Sequence, residues 1–586
     1  MIRVRQRTVL ALLAAVVGCS NASTDRPVRD AGGDTGASTD ARASRRIPRE
    51  GGSADARSTE AGPRDARSGD TARREPGPGD ATSGDAGRGD ASSGDEASTE
   101  GGGGNASAMD ASRSEADAPL STTIIVAPLS LEPPFSTSVH DYYVRCAAGD
   151  NTLTVSMTAA SGSTIALLQP TTTPASTGAT ATIAVTEDEA MVVGVSRGGV
   201  TDPYWIRCLP HNFPRLQMTR HPEAGTPTPG YYLVGDVVTA PGETGYAAVL
   251  DANGVPVWYH TTRTGRGPVD VDSVIPGTIS FVPFLDYTFR MVSGQFELHD
   301  LLTGGTTYVE PPDSPLDSHE LRYLPNGDYL VLSDPIERGV NLTGLGFGPS
   351  EDMVGCQVQE LDPSGAAVWT WRMVDHFDPV LVSTYPETTR VGAATVIIPF
   401  HCNSVDVDPD GNLLVSARDT DSIFLVSRAT GTVEWKIGGT ASSSDPDTTF
   451  VRVVGDPLTS FYRQHDVRFL QDGTISMFDD QTGTSGPARA VIYSFDVNTG
   501  TATVVWQYLA TVSSDAMGSF RVSPDGSRLV GYGVGGARGL AFTEVDERGD
   551  DLLDFSFPDG DASYRAVKVP SASFDIALLR ASAGAD

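Results

Sequence analysis

Three hairpins of this chain carry a histidine at the start of their first strand. They are His319 in DSHELRYL, His401 in FHCNSVDV and His465 in YRQHDVRFL. A lone histidine in a strand is usually structural, but the same position in three successive repeats predicts that the imidazoles converge at one place. The remaining histidines show no such alignment and are interpreted as surface or structural residues: His140, His211, His221, His260, His299 and His376.

The hairpin FHCNSVDVDPDGNLLVSARDT adds a carboxamide and a guanidinium to this set. Strand alternation places Asn403 on the same face as His401, and the turn at Asp410-Gly411 pairs Arg418 roughly with Asn403. Imidazoles, an amide and an arginine suit a tetrahedral oxyanion. A three-histidine zinc site is the alternative. Arg418 would repel a metal, and no neighbour of His401 supplies a carboxylate on that side, so we expect no metal and no cofactor.

The chemistry of the oxyanion favours a sulfuryl ester over a phosphoryl group. Phosphoryl transfer normally adds a metal held by carboxylates or a glycine-rich phosphate loop. The chain contains no G-x-x-x-x-G-K-S/T motif. A sulfate ester carries one negative charge, so it needs less neutralisation, and an unprotonated imidazole can attack its sulfur directly.

The histidine hairpins belong to a longer repeat that predicts an all-β fold. A first hairpin such as HELRYLPNGDYLVLSD is followed by a second one that ends in an aromatic or apolar strand, such as LDPSGAAVWTWRM. Such sets of four strands, spaced by several tens of residues, are typical of a β-propeller, and we count six blades within residues 216–586. The short strand-like runs of residues 121–215 predict a small β-sandwich, which resembles the cadherin-like domains found ahead of bacterial propellers.

The first 120 residues are interpreted as a targeting signal followed by a linker. Residues 1–18 resemble a lipoprotein signal peptide that ends before Cys19, which implies lipidation of Cys19 and an outer-membrane location. Residues 19–120 have almost no large apolar side chain and are predicted to be a disordered linker. With a formal net charge of -33, the chain should repel nucleic acids, and we expect membrane contact only through the lipid anchor.

Four cysteines remain after Cys19. The similar segments YVRC and WIRC near the two ends of the sandwich predict a disulfide between Cys146 and Cys208, with two buried thiols as the alternative. Pairing of Cys356 with Cys402 is left open, because the sequence gives no geometry for it.

Several motifs together resemble the bacterial arylsulfate sulfotransferases, which use no nucleotide sulfate donor (they are PAPS-independent). The resemblance covers most of residues 216–570 and rests on four of them: the histidine hairpin ending in L-P-N-G, the H-x-N-S-V-D hairpin with its distal arginine, T-G-x-V-x-W-K-I-G-G, and Q-H-D-V-R-F-L.

The resemblance implies an aryl sulfate donor, a phenol acceptor and a nucleophilic His465 that becomes transiently sulfated. It implies that His319, His401, Asn403 and Arg418 bind the sulfuryl group. The alternatives are a non-catalytic propeller that displays a binding face at the cell surface, and a metal-dependent hydrolase or lyase.

Overall fold

The computed structural model describes residues 121–237, 244–262, 267–283, 294–534 and 539–585. The predicted signal peptide, the lipidation site Cys19 and the linker 19–120 lie outside the described residues. In the part of the chain that is described, no helix has the length and apolar character needed to cross a bilayer.

The first described region is built from two sheets around one apolar core. One sheet has the strand order β1-β3-β5, and the other has the order β2-β7-β6-β4. Residues of β3 alternate between buried and more exposed, as a strand with one face on a core requires. Cys146 and Cys208 form a disulfide with a Cα–Cα distance of 5.5 Å. The strands are β1 (Thr123–Ala127), β2 (Asp141–Arg145), β3 (Asn151–Thr158), β4 (Thr164–Gln169), β5 (Gly178–Val185), β6 (Ala190–Arg197) and β7 (Val200–Leu209).

The described residues from 217 onward are also built mainly from strands, and they include two short α-helices. The first strands of this region are β8 (Gln217–Arg220), β9 (Gly230–Gly235), β10 (Tyr246–Leu250), β11 (Pro256–Thr261), β12 (Pro268–Asp272), β13 (Thr278–Pro283), β14 (Phe296–Asp300), β15 (Thr306–Val309), β16 (Leu316–Tyr323), β17 (Tyr329–Ser333), β18 (Ile336–Val340), β19 (Glu351–Val354), β20 (Gln357–Leu361), β21 (Ala367–Arg372), β22 (Glu387–Val391) and β23 (Ala394–Ile398).

The strands that follow are β24 (Cys402–Val407), β25 (Leu413–Ala417), β26 (Ser422–Val426), β27 (Val433–Gly438), β28 (Thr449–Val453), β29 (His465–Phe469), β30 (Ile475–Asp479), β31 (Arg489–Asp496), β32 (Thr501–Leu509), β33 (Ser519–Val522), β34 (Arg528–Gly531), β35 (Leu540–Val545), β36 (Asp551–Ser556) and β37 (Ala566–Pro570). The helices are α1 (Pro379–Val382) and α2 (Ile576–Ser582).

These strands associate in antiparallel groups of four. The orders are β37-β9-β10-β11, β12-β13-β14-β15, β16-β17-β20-β21, β24-β25-β26-β27, β29-β30-β31-β32 and β33-β34-β35-β36. The first strands of these groups are neighbours in the cyclic order β37, β12, β16, β24, β29, β33 and back to β37. The all-β class is confirmed, and the six-bladed propeller stays a prediction.

Five further strands lie outside the groups of four and are arranged near the site. β28 pairs in parallel with both β27 and β32, so two groups merge into one nine-stranded sheet. β22 and β23 join β18 and β19 in an additional sheet of order β18-β19-β23-β22. A disulfide between Cys356 and Cys402, with a Cα–Cα distance of 5.9 Å, connects the residue before β20 to the start of β24.

Turn chemistry explains the recurring first hairpins. In the turn after β24, the backbone N–H groups of Asp410 and Asn412 donate to Oδ1 of Asp408, and Gly411 adopts a φ of 87°. A positive φ of this size favours glycine, which has no Cβ to clash. Gly327, Gly473 and Gly526 hold the corresponding position in three further hairpins, with φ of 94°, 81° and 85°.

Candidate active site

The structure brings the three aligned histidines together. The ring centroids of His319 and His401 lie 5.2 Å apart, and those of His401 and His465 lie 6.3 Å apart. All three residues are buried, with 1%, 5% and 1% of their surface exposed. They come from β16, from the residue before β24 and from the first residue of β29, so the first strands of three neighbouring groups supply one cluster.

Irregular backbone sets the direction of these side chains. The β24–β25 register shifts between Cys402 and Ser404, and His401 has a φ of 52°. The expected pairing of Arg418 with Asn403 is therefore wrong: the N–H of Arg418 donates to the carbonyl of His401 at 2.8 Å. The bulge at Asn403 breaks the strict alternation on which that pairing depended.

Each imidazole has a carboxylate at its Nδ1 atom. Asp317 hydrogen-bonds Nδ1 of His319, and Oδ2 of Asp480 lies 2.6 Å from Nδ1 of His465. Oε2 of Glu387 lies 3.1 Å from Nδ1 of His401. The expectation that no carboxylate is directed to the His401 side is therefore wrong. An Nδ1–H held by a carboxylate leaves Nε2 of each ring as the atom available for chemistry.

The guanidinium of Arg418 is buried beside His401. Its Nη1 donates to Oδ1 of Asp419 at 2.9 Å and to Oε1 of Glu387. The ring of Tyr385 lies 5.5 Å from the Arg418 guanidinium and 4.2 Å from that of Arg463. Arg418 therefore has the cationic character predicted for it, but its two acidic partners together carry one charge more than it does.

Asn403 supports the cluster by a hydrogen bond to the backbone just before the neighbouring strand β29. Its Nδ2 donates to the carbonyl of Gln464 at 2.7 Å, and Gln464 directly precedes His465. Nδ1 of His465 also lies 3.0 Å from the carbonyl of Arg463. The amide of Asn403 thus fixes the segment that carries His465.

A buried network of charges lies next to this cluster and was not predicted from the sequence. Arg565 Nη1 donates to Asp270 at 2.6 Å, and Arg468 Nη2 donates to Glu320 at 2.7 Å. Burial alone would raise the pKa of Asp466, but Arg521, Arg468 and Arg565 together hold it well below its ordinary value. Tyr564, whose hydroxyl donates to the carbonyl of His319 at 3.3 Å, connects the network to the histidines.

One subset of this site also has the composition of a metal site. Ligand atoms of Glu387, His401 and Asp419 all lie within 4.8 Å of one another, and all three residues are buried. Nη1 of Arg418 hydrogen-bonds to both carboxylates. A guanidinium between the two acids already supplies the positive charge that a cation would bring.

The family model for arylsulfotransferases (ASST) matches residues 219–565 of this chain. The chain belongs to the arylsulfotransferase family. Membership supports arylsulfotransferase activity in general terms, with an aryl sulfate as donor and a phenol as acceptor. The matched range contains every residue of the histidine cluster, and the seven strands β1–β7 precede it.

Solved structures show only distant likenesses to this family member. A protein of unknown function from Bacteroides caccae has 14% identity and a TM-score of 0.36, covering 58% of this chain and 99% of its own. A protein from Lactobacillus plantarum has 15% identity and a TM-score of 0.31, with coverages of 56% and 83%. A putative 6-phosphogluconolactonase from Bacteroides fragilis has 12% identity and a TM-score of 0.29, with coverages of 70% and 98%. No curated protein matches the chain. None of these likenesses bears on function.

Proposed function

We propose that this protein moves a sulfuryl group from an aryl sulfate to a phenol in two steps, through a sulfated His465. The observation that carries the proposal is the convergence of three buried imidazoles, with His401 next to both His319 and His465 and a carboxylate at Nδ1 of each ring. In this proposal the aryl sulfate itself supplies the sulfuryl group, so the transfer uses no nucleotide sulfate.

In the first step, Nε2 of His465 attacks the sulfur of the donor. Asp480 and the carbonyl of Arg463 hold the proton on Nδ1, so Nε2 carries the lone pair. A nitrogen–sulfur bond forms while the bond from sulfur to the aryl oxygen breaks, and the phenolate departs with the electron pair. A phenolate whose conjugate acid has a pKa of about 10 is a tolerable leaving group, which favours aryl over alkyl donors.

The remaining groups of the cluster stabilise charge on the sulfuryl oxygens. Arg418 is held in place by Glu387 and Asp419, so it is preorganised for the transferring group. Because these two acids together carry more charge than Arg418, the site suits an ester with one negative charge better than a phosphate ester with two.

In the second step, a phenol takes the sulfuryl group from His465. His319 or His401 removes the phenol proton as its oxygen attacks sulfur, and the nitrogen–sulfur bond breaks. His465 returns to its neutral form with Nδ1–H still on Asp480. The histidine that took the phenol proton releases it to solvent, and the phenolate from the first step takes up a proton there. The donor has then become a phenol and the acceptor an aryl sulfate, so the transfer balances without an external reagent.

The test uses 4-nitrophenyl sulfate as donor and phenol as acceptor. We expect the wild-type protein to release nitrophenol and His465→Ala to show only background release. The matched control is His376→Ala, because His376 is a half-buried histidine with a carboxylate partner, Asp445 at 2.8 Å, outside the cluster. Equal release by wild type and His465→Ala contradicts the proposal.

Incubation with the donor alone distinguishes sulfuryl transfer from the alternative of a non-catalytic binding protein. Mass spectrometry should find one sulfuryl group on the peptide that contains His465 after incubation with 4-nitrophenyl sulfate and no phenol. A binding module would leave this peptide unmodified. The third alternative is favoured by the grouping of Glu387, His401 and Asp419, and a metal-dependent enzyme would lose its activity on treatment with a chelator.

The proposal includes the architecture that holds the site. The six groups of four strands are blades of one propeller, supported by the cyclic order of their first strands. The two ends of this region close the ring, because β37 pairs with β9 and β8 pairs with β36. Strands β1–β7 form a sandwich ahead of the propeller.

The proposed location is the outer membrane, with a lipid on Cys19 as the anchor. Its support is the basic N-terminus and short apolar run that end at Val16-Val17-Gly18-Cys19. Cys19→Ser should move the protein from the membrane fraction to the soluble fraction of the exporting cell. Retention of this variant in the membrane contradicts lipid anchoring at Cys19.

A further inference from the structure

A second group of metal-binding side chains lies away from the three aligned histidines. His260 lies in β11, and Glu297 and His299 lie on one face of β14, two residues apart. One ligand atom from each of the three lies within 4.8 Å of the others. We propose that these residues form a divalent-cation site of the zinc type that joins the sheets of β11 and β14.

The three side chains already face one another. The ring centroids of His260 and His299 lie 4.5 Å apart, and Oε2 of Glu297 lies 3.1 Å from Nε2 of His299. In a tetrahedral site with bonds of about 2.0–2.1 Å, ligand atoms are roughly 3.4 Å apart. The ligand atoms therefore need to approach one another by at most about 1.4 Å, which side-chain rotation provides without a change of fold.

Neighbouring groups contact both imidazoles and hold their rings in place. Oγ1 of Thr306 lies 3.3 Å from Nδ1 of His299, and the ring of Phe281 stacks on His299 with centroids 5.0 Å apart. The carbonyl of Ala585 lies 3.2 Å from Nδ1 of His260. The carbonyl at Nδ1 of His260 accepts a hydrogen bond from Nδ1–H and leaves Nε2 as the basic nitrogen, an arrangement typical of histidine ligands. Nε2 of His299 donates to Glu297 in the ion-free site, and an ion displaces this proton while Thr306 accepts from Nδ1–H.

The donor set identifies the class of ion. Two imidazoles and one carboxylate are a combination that binds zinc, with a water molecule as the fourth ligand, whereas magnesium and calcium prefer oxygen ligands only. The side chains of Glu297 and His299 are 22% and 15% exposed, so an ion and its water can enter from solvent.

The position of the site lets a bound ion link two neighbouring sheets. β11 is the last strand of the group that also contains β37, and β14 belongs to the next group along the chain. A bound ion therefore connects two sheets next to the place where the chain ends, near Ala585. The three aligned histidines lie in or beside β16, β24 and β29, which belong to other groups, so this proposal does not depend on the transfer chemistry.

The experiment measures zinc bound to the full-length protein without a polyhistidine tag. The protein is stripped with chelator, incubated with ZnCl₂ and desalted, and bound zinc is measured by mass spectrometry. We expect His299→Ala and Glu297→Gln to bind one equivalent less than wild type. The control His376→Ala should bind the same amount as wild type. His401→Ala is included because ions at Glu387, His401 and Asp419 would be lost in that variant alone.

Thermal unfolding and a conservative variant provide the second readout. Zinc should raise the unfolding midpoint of wild type and leave that of Glu297→Gln unchanged, because only a bound ion stabilises the folded state. Thr306→Val, which removes a partner of His299 but no ligand, should weaken zinc binding by about 10-fold or more. Equal zinc content in wild type, His299→Ala and Glu297→Gln, or no zinc-dependent shift in wild type, overturns the proposal.

Discussion

Each histidine of the cluster works with an acid that comes from a different part of the chain. Asp317 stands two residues before His319, Asp480 ends the hairpin that begins at His465, and Glu387 comes from the additional sheet. An acid at Nδ1 fixes the tautomer and stabilises positive charge on the ring once Nε2 is substituted. The acid beside His465 should therefore matter most when the sulfur is bound to nitrogen.

Replacing Asp480 with asparagine should slow transfer while leaving donor binding largely intact. In Asp480→Asn the amide no longer selects Nδ1–H or stabilises the sulfated ring, so we expect kcat to fall on the order of 10²–10⁴-fold with little change in KM. Stopped-flow measurement of nitrophenol release from donor alone checks the first step directly.

Ser514 provides the matched control for Asp480. Its hydroxyl donates to Oδ1 of Asp480 at 2.5 Å, so Ser514→Ala removes support from the acid but keeps the acid itself. The loss in kcat should be much smaller than for Asp480→Asn. An unchanged rate of His465 sulfation in Asp480→Asn would show that the acid has no part in orienting the nucleophile.

At the residue scale the sequence predicts the histidines better than their acidic partners. His319, His401 and His465 can be aligned because they occupy one position of a repeat, and repeats preserve geometry. Glu387 has no such signal, because it lies in an insertion that the other repeats lack. The direction of Asn403 is missed for a different reason: a bulge in a strand shifts the register without leaving a mark in the alternation of residues.

At the scale of elements, the additional sheet and a disulfide support the central hairpin. Cys402 opens β24 and is bonded to Cys356, which precedes β20 in the group of β16. His401 and Asn403 flank Cys402 on both sides. The disulfide therefore connects the two groups that supply His319 and His401.

Loss of the Cys356–Cys402 disulfide should reduce both stability and activity. The bridge spans a sequence separation of 46 residues. The chain-entropy relation gives about 4 kcal/mol for a loop of this size. We expect the double variant Cys356→Ala, Cys402→Ala to unfold at lower urea concentration and to transfer sulfate more slowly, as measured by circular dichroism and nitrophenol release.

The disulfide of the sandwich is the control for this effect. Cys146 and Cys208 lie in the first described region, outside the matched family range. The double variant Cys146→Ala, Cys208→Ala should lose stability while the folded protein keeps its rate of transfer. Equal loss of rate in the two double variants would mean that the Cys356–Cys402 bridge has no particular influence on the site.

A buried lysine at the end of β27 predicts a pH dependence of stability. Nζ of Lys436 donates to the carbonyls of Gly438 at 3.1 Å and Thr440 at 2.5 Å. Burial lowers the pKa of Lys436 to about 8, although Asp421 opposes the shift. In the unfolded chain the lysine keeps a pKa of about 10.4, so the unfolded state binds the extra proton between these values.

The free energy of unfolding of wild type should therefore rise relative to Lys436→Met as pH increases from about 8 to 10, and the contribution is lost as pH falls through about 8. The full change is at most about 3 kcal/mol, since each pKa unit corresponds to about 1.4 kcal/mol. Urea unfolding of both proteins at several pH values in this range measures the difference. Parallel pH profiles of wild type and Lys436→Met would show that Lys436 has the same pKa in the folded and the unfolded state.

At the scale of the whole molecule, buried charges connect strands that are far apart in the chain. Arg565 Nη2 donates to Glu320 at 3.2 Å and to the carbonyl of Asn403 at 2.8 Å, and its Nε lies 3.5 Å from Asp466. Its Nη1 donates to Asp270. One side chain near the end of the chain thus contacts residues in or next to four inner strands. Repeats in the sequence predict the strands, but a network in which each repeat supplies a different residue leaves no periodic pattern.

Removal of Arg565 should therefore destabilise the protein far more than removal of an exposed arginine. Arg565→Met leaves Asp270, Glu320 and Asp466 buried with one cation fewer, and breaking a buried pair in this way costs about 3–5 kcal/mol. Arg548→Met is the control, because Arg548 is 76% exposed and its pair with Asp546 contributes about 0–1 kcal/mol. Urea unfolding at pH 8 compares the two variants with wild type.

The loss of stability caused by Arg565→Met should also be smaller in acid than at neutral pH and above. Burial raises the pKa of Asp270 to about 7 even with Arg565 present to lower it, so without the arginine the group remains protonated to still higher pH. A folded-state pKa above the unfolded value means that the folded state binds the extra proton, and stability falls as pH rises through that range. The penalty of Arg565→Met should thus be smaller at pH 5 than at pH 8. A penalty that matches that of Arg548→Met, or that does not vary with pH, would show that the carboxylates are balanced by the remaining arginines, Arg468 and Arg521.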